Sequence, residues 1–145
     1  MIRIREYEEK DTSGIAKLVR EVLFEIFHTE ARNIEDLNRI RKEYFEKKGI
    51  FYVAEDDVKI VGVIAVKREK DRIARLKRMY VAKEHRKQKI GQQLLNKVID
   101  FCKHKGYKKI ILSTYPQMKQ AIEFYKKNGF QEYQRNEQIF FEKTL

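Results

Sequence analysis

Between residues 50 and 82 the chain passes through three strand-like runs with almost nothing between them: IFYVAED, VKIVGVIAVKRE and RIARLKRMYVAK. A short acidic turn joins the first two, and REKD turns the second into the third. Turns this tight can connect only antiparallel neighbours, so this stretch commits the chain to a sheet. Gly62, inside the second run, marks a candidate bulge.

Helical periodicity surrounds this block. IRIREY at residues 2–7 alternates as a strand does. Asp11 or Thr12 can then cap a helix carrying Ile15, Leu18, Val19, Val22, Leu23, Ile26 and Phe27 on one stripe. A second helix is predicted from Asn33 to Lys48, with Ile34, Leu37, Ile40, Tyr44 and Phe45 on one side and Gly49 as its stop. After the three strands, Ile90, Leu94, Leu95, Val98, Ile99 and Cys102 form a third stripe that ends at Gly106. KKIILST is a continuous apolar strand, which predicts burial on both faces. Residues 117–128 form a further helix with Gly129 as its stop, and FQEYQ and QIFFEKTL close the chain as a hairpin. The order is β-α-α-β-β-β-α-β-α-β-β. That is an α/β chain with one mixed, mostly antiparallel sheet and helices on both faces. Its 145 residues fit a single domain, 1–145.

The net charge of +11 favours anionic partners: phosphorylated cofactors, nucleic acid or acidic surfaces. No apolar run approaches the length of a membrane span, and MIRIREYEEKD lacks the apolar stretch of a signal peptide. The lone Cys102 cannot form an internal disulfide, which points to a reducing cytoplasm, and its place on an apolar stripe makes it a core thiol. No metal-ligand spacing occurs.

The chemistry concentrates in HRKQKIGQQLL, residues 85–95. Positive charge at a helix N-terminus opposes the helix dipole unless an anion sits there. The first N–H groups of the helix lack intrahelical partners and form a ready anion site. Gly91 has no Cβ to keep an anion or a neighbouring backbone away, and Arg86, Lys87 and Lys89 add charge. The pattern is a phosphate cradle, and it matches neither a P-loop nor GxGxxG.

Preceded by RLKRMYV, this loop resembles the acyl-CoA-binding loop of the GNAT acetyltransferases, Q/R-x-x-G-x-G/A. Arg86, Ile90 and Gly91 fit that pattern, and Lys89 stands where the first Gly usually is. AIEFYKKNGF, residues 121–130, resembles the family's helix ending in a Gly-Phe corner. The element order matches the family across essentially the whole chain. The resemblance implies an acetyl-CoA-dependent N-acetyltransferase. Backbone N–H groups along Arg86, Lys87, Gln88, Lys89, Ile90, Gly91 and Gln92 would hold the pyrophosphate. The pantetheine arm would lie between two splayed strands, RMYV and ILST, and pair with the main chain of Met79 and Val81 as a peptide pairs with a sheet edge. A backbone N–H near Met79 or Tyr80 would face the oxyanion. Met118 stands where many members carry an Asn that bonds the cofactor.

Tyr125 stands where the family's tyrosine protonates the departing thiolate. A phenol near pKa 10 can serve a thiol near 8.5 at a cost of about 2 kcal/mol. Read from the stripe alone, Tyr125 is a core aromatic. The general base that many members carry on the strand before the loop is missing, because Arg75, Lys77 and Arg78 occupy that strand. Glu21, Glu25 and Glu30 could supply one from the first helix and its exit. His28 lies in the region that shapes the family's acceptor pocket, His104 complements a helix C-terminus, and His85 is a turn or phosphate-edge residue. The acceptor expected is therefore an amine of low pKa that needs little base, on a small molecule or a protein. Two alternatives share the composition: a non-catalytic acyl-CoA sensor on the same fold, and a basic nucleic-acid-binding module, which no recognised nucleic-acid motif supports. Pairing of the last strands between two copies would give a homodimer.

Overall fold

The computed structural model describes residues 1–145. One seven-stranded sheet runs in the order β1-β2-β3-β4-β5-β7-β6. The strands are β1 (Ile2–Glu6), β2 (Ile50–Asp56), β3 (Lys59–Lys70), β4 (Ile73–Val81), β5 (Lys109–Thr114), β6 (Gln131–Arg135) and β7 (Ile139–Thr144). Every neighbouring pair is antiparallel except β4 and β5. The helices are α1 (Thr12–Phe27), the short α2 (Ile40–Glu43), α3 (Ile90–Lys105) and α4 (Lys119–Lys127). None is long and apolar enough to cross a membrane.

The predicted stripes are the buried faces. Ile15, Leu18, Val19 and Val22 of α1, and Ile90, Leu94, Leu95, Val98 and Cys102 of α3, all lie in one core with the central strands. Gly14 of α1 sits against Ile60, and Ile90 and Leu94 of α3 sit against Gly62, so the two helices cover opposite faces of the sheet. The bulge expected at Gly62 is its immediate neighbour. Ala54 pairs with Gly62 and Glu55 with Ile60, which leaves Val61 as the extra residue.

Three expectations are corrected. Asp11 does not cap α1 with its side chain. Its carboxylate takes two hydrogen bonds of 2.8 Å from Arg5 and a third from the Glu8 N–H, and so ties β1 to the turn before the helix. The helix predicted from Asn33 to Lys48 is broken into two 3-10 turns, Glu35–Asn38 and Phe45–Lys47, on either side of the single α2 turn. The apolar residues still do their work, since Leu37, Ile40 and Tyr44 are buried. The break is tertiary in origin. Arg78 of β4 bonds the Asp36 carboxylate and the Asn33 carbonyl, pinning the segment to the sheet in a path no regular helix follows. Finally, β5 is not buried on both faces: Ile110, Leu112 and Thr114 are, while Lys109, Ile111 and Ser113 are half-buried. Tyr125 of α4 packs on Phe141, the cross-strand partner of Leu112, so α4 covers the first of these faces. The second face is only partly covered.

Candidate active site

β4 and β5 pair at only three positions, Ile73–Lys109, Ala74–Ile110 and Arg75–Ile111. Beyond Arg75 they separate. The cause is visible in β4: Ala65 of β3 pairs with Lys77, but Val63 pairs with Tyr80, so β4 holds one extra residue there. Arg78 takes a left-handed φ of 57° in this bulge. A bulge raises local twist and turns the strand away from its neighbour. The main chain of Leu76–Val81 on the β5 side is left unpaired, which is the splay expected of RMYV and ILST.

The bulge also distributes side chains. Met79 and Val81 point toward the first turn of α3, where the position of an added Gly91 Cβ lies 3.2 Å from Met79 Cε and 3.8 Å from Val81 Cγ2. Lys67 of β3 faces the α2 side, over the Tyr44 ring and 3.5 Å from Glu43. Arg75, its cross-strand partner, and Lys77 share that side. The splay therefore has an α3 side and an opposite, open side.

Past Val81 the chain makes a 3-10 turn, Lys83–His85, and enters α3 at Ile90. The N–H groups of Lys87, Gln88, Lys89, Ile90, Gly91 and Gln92 have no acceptor in the protein; the first helical bond is Gln93 N–H to the Lys89 carbonyl, 3.1 Å. Lys87 and Lys89 are both left-handed, with φ of 66° and 64°. Successive N–H groups in such a turn form a concave nest for an anion. The position where the pattern usually has Gly thus does require positive φ, and Lys89 holds it at a cost of about 1–2 kcal/mol. The side chains of Lys87, Gln88 and Lys89 are exposed and form no ion pair.

Arg86 faces the other way. Its guanidinium binds the Glu25 carboxylate of α1 at 2.7 and 2.8 Å, and its Nε donates to the Val81 carbonyl at 3.1 Å. It braces the loop against α1 and the end of β4, and its charge is spent. Glu25, with Arg86 on it, has a carboxyl held below the usual range. Gln92 is also committed, through Asn96 at 3.0 Å and Asn128 at 2.8 Å. The Gln92–Asn128 bond ties the first turn of α3 to the end of α4, a link that 36 residues of separation hide from sequence reading. His85 places Nε2 3.1 Å from Asp56. His28 is exposed at the end of α1, and His104 bonds the Asp100 carbonyl at 2.9 Å on α3.

Tyr125 is 6% exposed, ringed by Phe124, Phe130 and Phe141 at 5.6 to 6.3 Å between ring centroids. Its hydroxyl has no hydrogen-bond partner in the protein, and burial pushes its pKa well above the ordinary phenol value, with Tyr80 adding to the rise. Gly129 (φ 86°) ends α4 in a left-handed turn, and Phe130 N–H returns to the Tyr125 carbonyl at 3.0 Å. That corner fixes the Tyr125 ring. Met118 caps α4 at its start and receives the Thr114 hydroxyl on its sulfur at 3.2 Å.

On the open side, Arg78 binds Asp36 at 2.7 and 3.1 Å, and Tyr44 donates its hydroxyl to the same carboxylate. Burial would raise the Asp36 pKa, but the bonds from Arg78 and Tyr44 outweigh it and hold the carboxyl below the usual range. This Asp36–Arg78 pair is a part of the site that the sequence does not show, since 42 residues separate its members.

A model of the GNAT acetyltransferase family matches residues 16–130. Among characterised relatives, N-acetyltransferase 8 of Homo sapiens is 34% identical over 101 residues, covering 66% of this chain and 44% of that protein. The probable N-acetyltransferase camello of Xenopus laevis is 36% identical over 99 residues, covering 66% of this chain and 45% of its own length. The chain thus spans less than half the length of these relatives. The crystal structure of a GNAT-family acetyltransferase from Staphylococcus aureus Mu50 superimposes with a TM-score of 0.93 at 29% identity, over 100% of this chain and 99% of that one. The PaiA N-acetyltransferase of Thermoplasma acidophilum, solved in complex with coenzyme A, shares the fold, with a TM-score of 0.81 at 24% identity over 100% of this chain and 99% of that one. The chain belongs to the GNAT family of acetyltransferases.

Proposed function

We propose that this protein moves an acetyl group from acetyl-CoA to an amine by direct attack of the amine on the thioester. The observation that carries the proposal is the run of six unpartnered N–H groups, Lys87–Gln92, at the mouth of the β4–β5 splay. The run suits a pyrophosphate, with Lys87 and Lys89 as added charge. The unpaired β4 edge suits the amides of a pantetheine arm. At Val81 the carbonyl already accepts Arg86, so one lone pair remains there. The thioester then falls beside Met79 and Tyr80, whose main-chain N–H groups are the donors available to an oxyanion.

Tyr125 is the proton donor in this scheme. Its raised pKa makes it a weaker acid than a free phenol, but the thiolate it serves leaves in the same dry surroundings. A desolvated thiolate and a desolvated phenol move together, so the proton transfer remains feasible.

No carboxylate is poised as a base. Ion pairing with Arg86 and Arg78 depresses Glu25 and Asp36. The acceptor must supply its own neutral amine. An α-amine near pKa 8 is about a tenth neutral at pH 7, whereas a lysine near 10.4 is almost wholly charged. The test is thiol release from acetyl-CoA with a panel of α-amines and ε-amines between pH 7 and 10. Faster reaction of α-amines at pH 7 is expected. Activity on lysine side chains alone, rising steeply to pH 9–10, contradicts the proposal.

A further inference from the structure

Arg78 and Met79 together stand opposite Ile64, the two-against-one count of the β4 bulge. The φ of Arg78, 57°, lies in the left-handed region. A residue with a Cβ is strained there and persists only where its surroundings over-determine it. Glycine would take the same φ without strain. The chain has instead an arginine, and its side chain does the holding. Its Nε donates to Asp36 at 3.1 Å, and its Nη2 donates to Asp36 at 2.7 Å and to the Asn33 carbonyl at 2.6 Å.

Asp36 is fixed in its turn. Tyr44, fully buried, donates its hydroxyl to the same carboxylate, and its ring packs edge-on against Phe51 of β2 at 5.4 Å. A brace thus runs from the core through Tyr44 and Asp36 to Arg78. Both charged side chains are nearly enclosed, Arg78 at 10% and Asp36 at 13% exposure. A buried ion pair adds little net stability over apolar side chains of the same volume; its best-attested use is to select one conformation over others. The conformation selected here is that of the bulge, and the residues that follow Arg78 are Met79 and Tyr80.

We infer that Arg78 and Asp36 are positioning residues for the acyl transfer: by holding the bulge in its left-handed form they aim the Met79 and Tyr80 N–H groups at the thioester oxygen. The inference rests on the acetyltransfer proposed above. Neither side chain touches the reacting atoms. Donors fixed in advance stabilise a developing oxyanion because they need not reorganise as the charge appears, and a brace anchored in the core supplies that fixity. Without the brace the donors remain but are misaimed. The loss therefore falls on kcat. Binding of acetyl-CoA is largely spared, because the run of unpartnered N–H groups at Lys87–Gln92 lies beyond the end of β4.

The test compares Arg78→Ala with Arg78→Gly, and both with Asp36→Asn. Ala and Gly both delete the brace, but only Gly takes the left-handed φ freely. Arg78→Ala should lower kcat by about tenfold to a hundredfold, approaching the loss of a deleted oxyanion donor. Arg78→Gly should recover most of that loss, and the KM for acetyl-CoA should stay within about threefold in both. Asp36→Asn keeps the shape and removes the charge, so its kcat should fall between the two. Cross-strand NOEs between β3 and β4 read the bulge without any activity: the contact between Val63 and Tyr80 should shift in Arg78→Ala and persist in Arg78→Gly. Equal kcat losses in Ala and Gly, or lower melting temperatures with kcat intact, overturn the inference; the first makes Arg78 a substrate contact and the second makes the pair a pin for the fold. NOEs that behave as expected in a protein that acetylates no amine support the brace and defeat the transfer reading instead.

Discussion

Tyr125→Phe should lower kcat by about a hundredfold or more, the usual size of a lost proton donor, and leave the KM for acetyl-CoA nearly unchanged. The reasoning is that the hydroxyl has no partner in the resting protein. Removing it breaks no hydrogen bond, while the ring keeps its contacts with Phe124, Phe130 and Phe141. The folded state therefore loses nothing, and thermal unfolding of the variant should match that of the parent. The cost appears only when a thiolate departs without a donor. Steady-state kinetics beside a melting curve separates the two roles of this residue. A drop in stability with kcat intact would make Tyr125 a core aromatic and no more.

Gly49→Ala should destabilise the fold by about 3 kcal/mol or more in urea unfolding, at the upper end for overpacking. A Cβ at Gly49 would lie 1.8 Å from the Val66 carbonyl oxygen and 2.6 Å from Lys67 Cα. Both are backbone atoms of β3, which cannot step aside without breaking its pairing with β2 or β4. Gly49 is where the α2 region turns into β2, its N–H bonded to the Tyr44 carbonyl at 2.8 Å. The same change at Gly106 meets nothing within 4 Å, although its φ is 89°. Gly106→Ala should therefore cost only the left-handed backbone penalty, about 1 kcal/mol. Comparable losses at the two positions would mean that the close approach at Gly49 is relieved by a shift the structure does not show.

The periodic parts of the fold were legible because periodicity reports burial, and burial was regular. Two tight turns and two unbroken stripes suffice to place β2, β3, β4, α1 and α3. The run of unpartnered N–H groups was legible for a different reason: it is local, made by consecutive residues at a helix start. What escaped was set by pairs far apart in the chain. Asp36 and Arg78 break the second predicted helix and hold the β4 bulge, and neither residue has a local pattern that announces the other. Arg86 reads as a phosphate ligand until Glu25 is seen on it. Lys89 departs from the family pattern in the sequence, but only the structure gives it a left-handed φ.

The central claim is that Lys87–Gln92 and the β4–β5 splay together form an acyl-CoA site. Calorimetric titration with acetyl-CoA, free CoA and a 3′,5′-ADP fragment lacking the pantetheine arm, at moderate and high salt, tests it most directly. Micromolar affinity that needs the pantetheine arm and survives salt is the result predicted. Affinity that follows phosphate charge alone and disappears in high salt would contradict it, and would leave HRKQKIG as a basic surface.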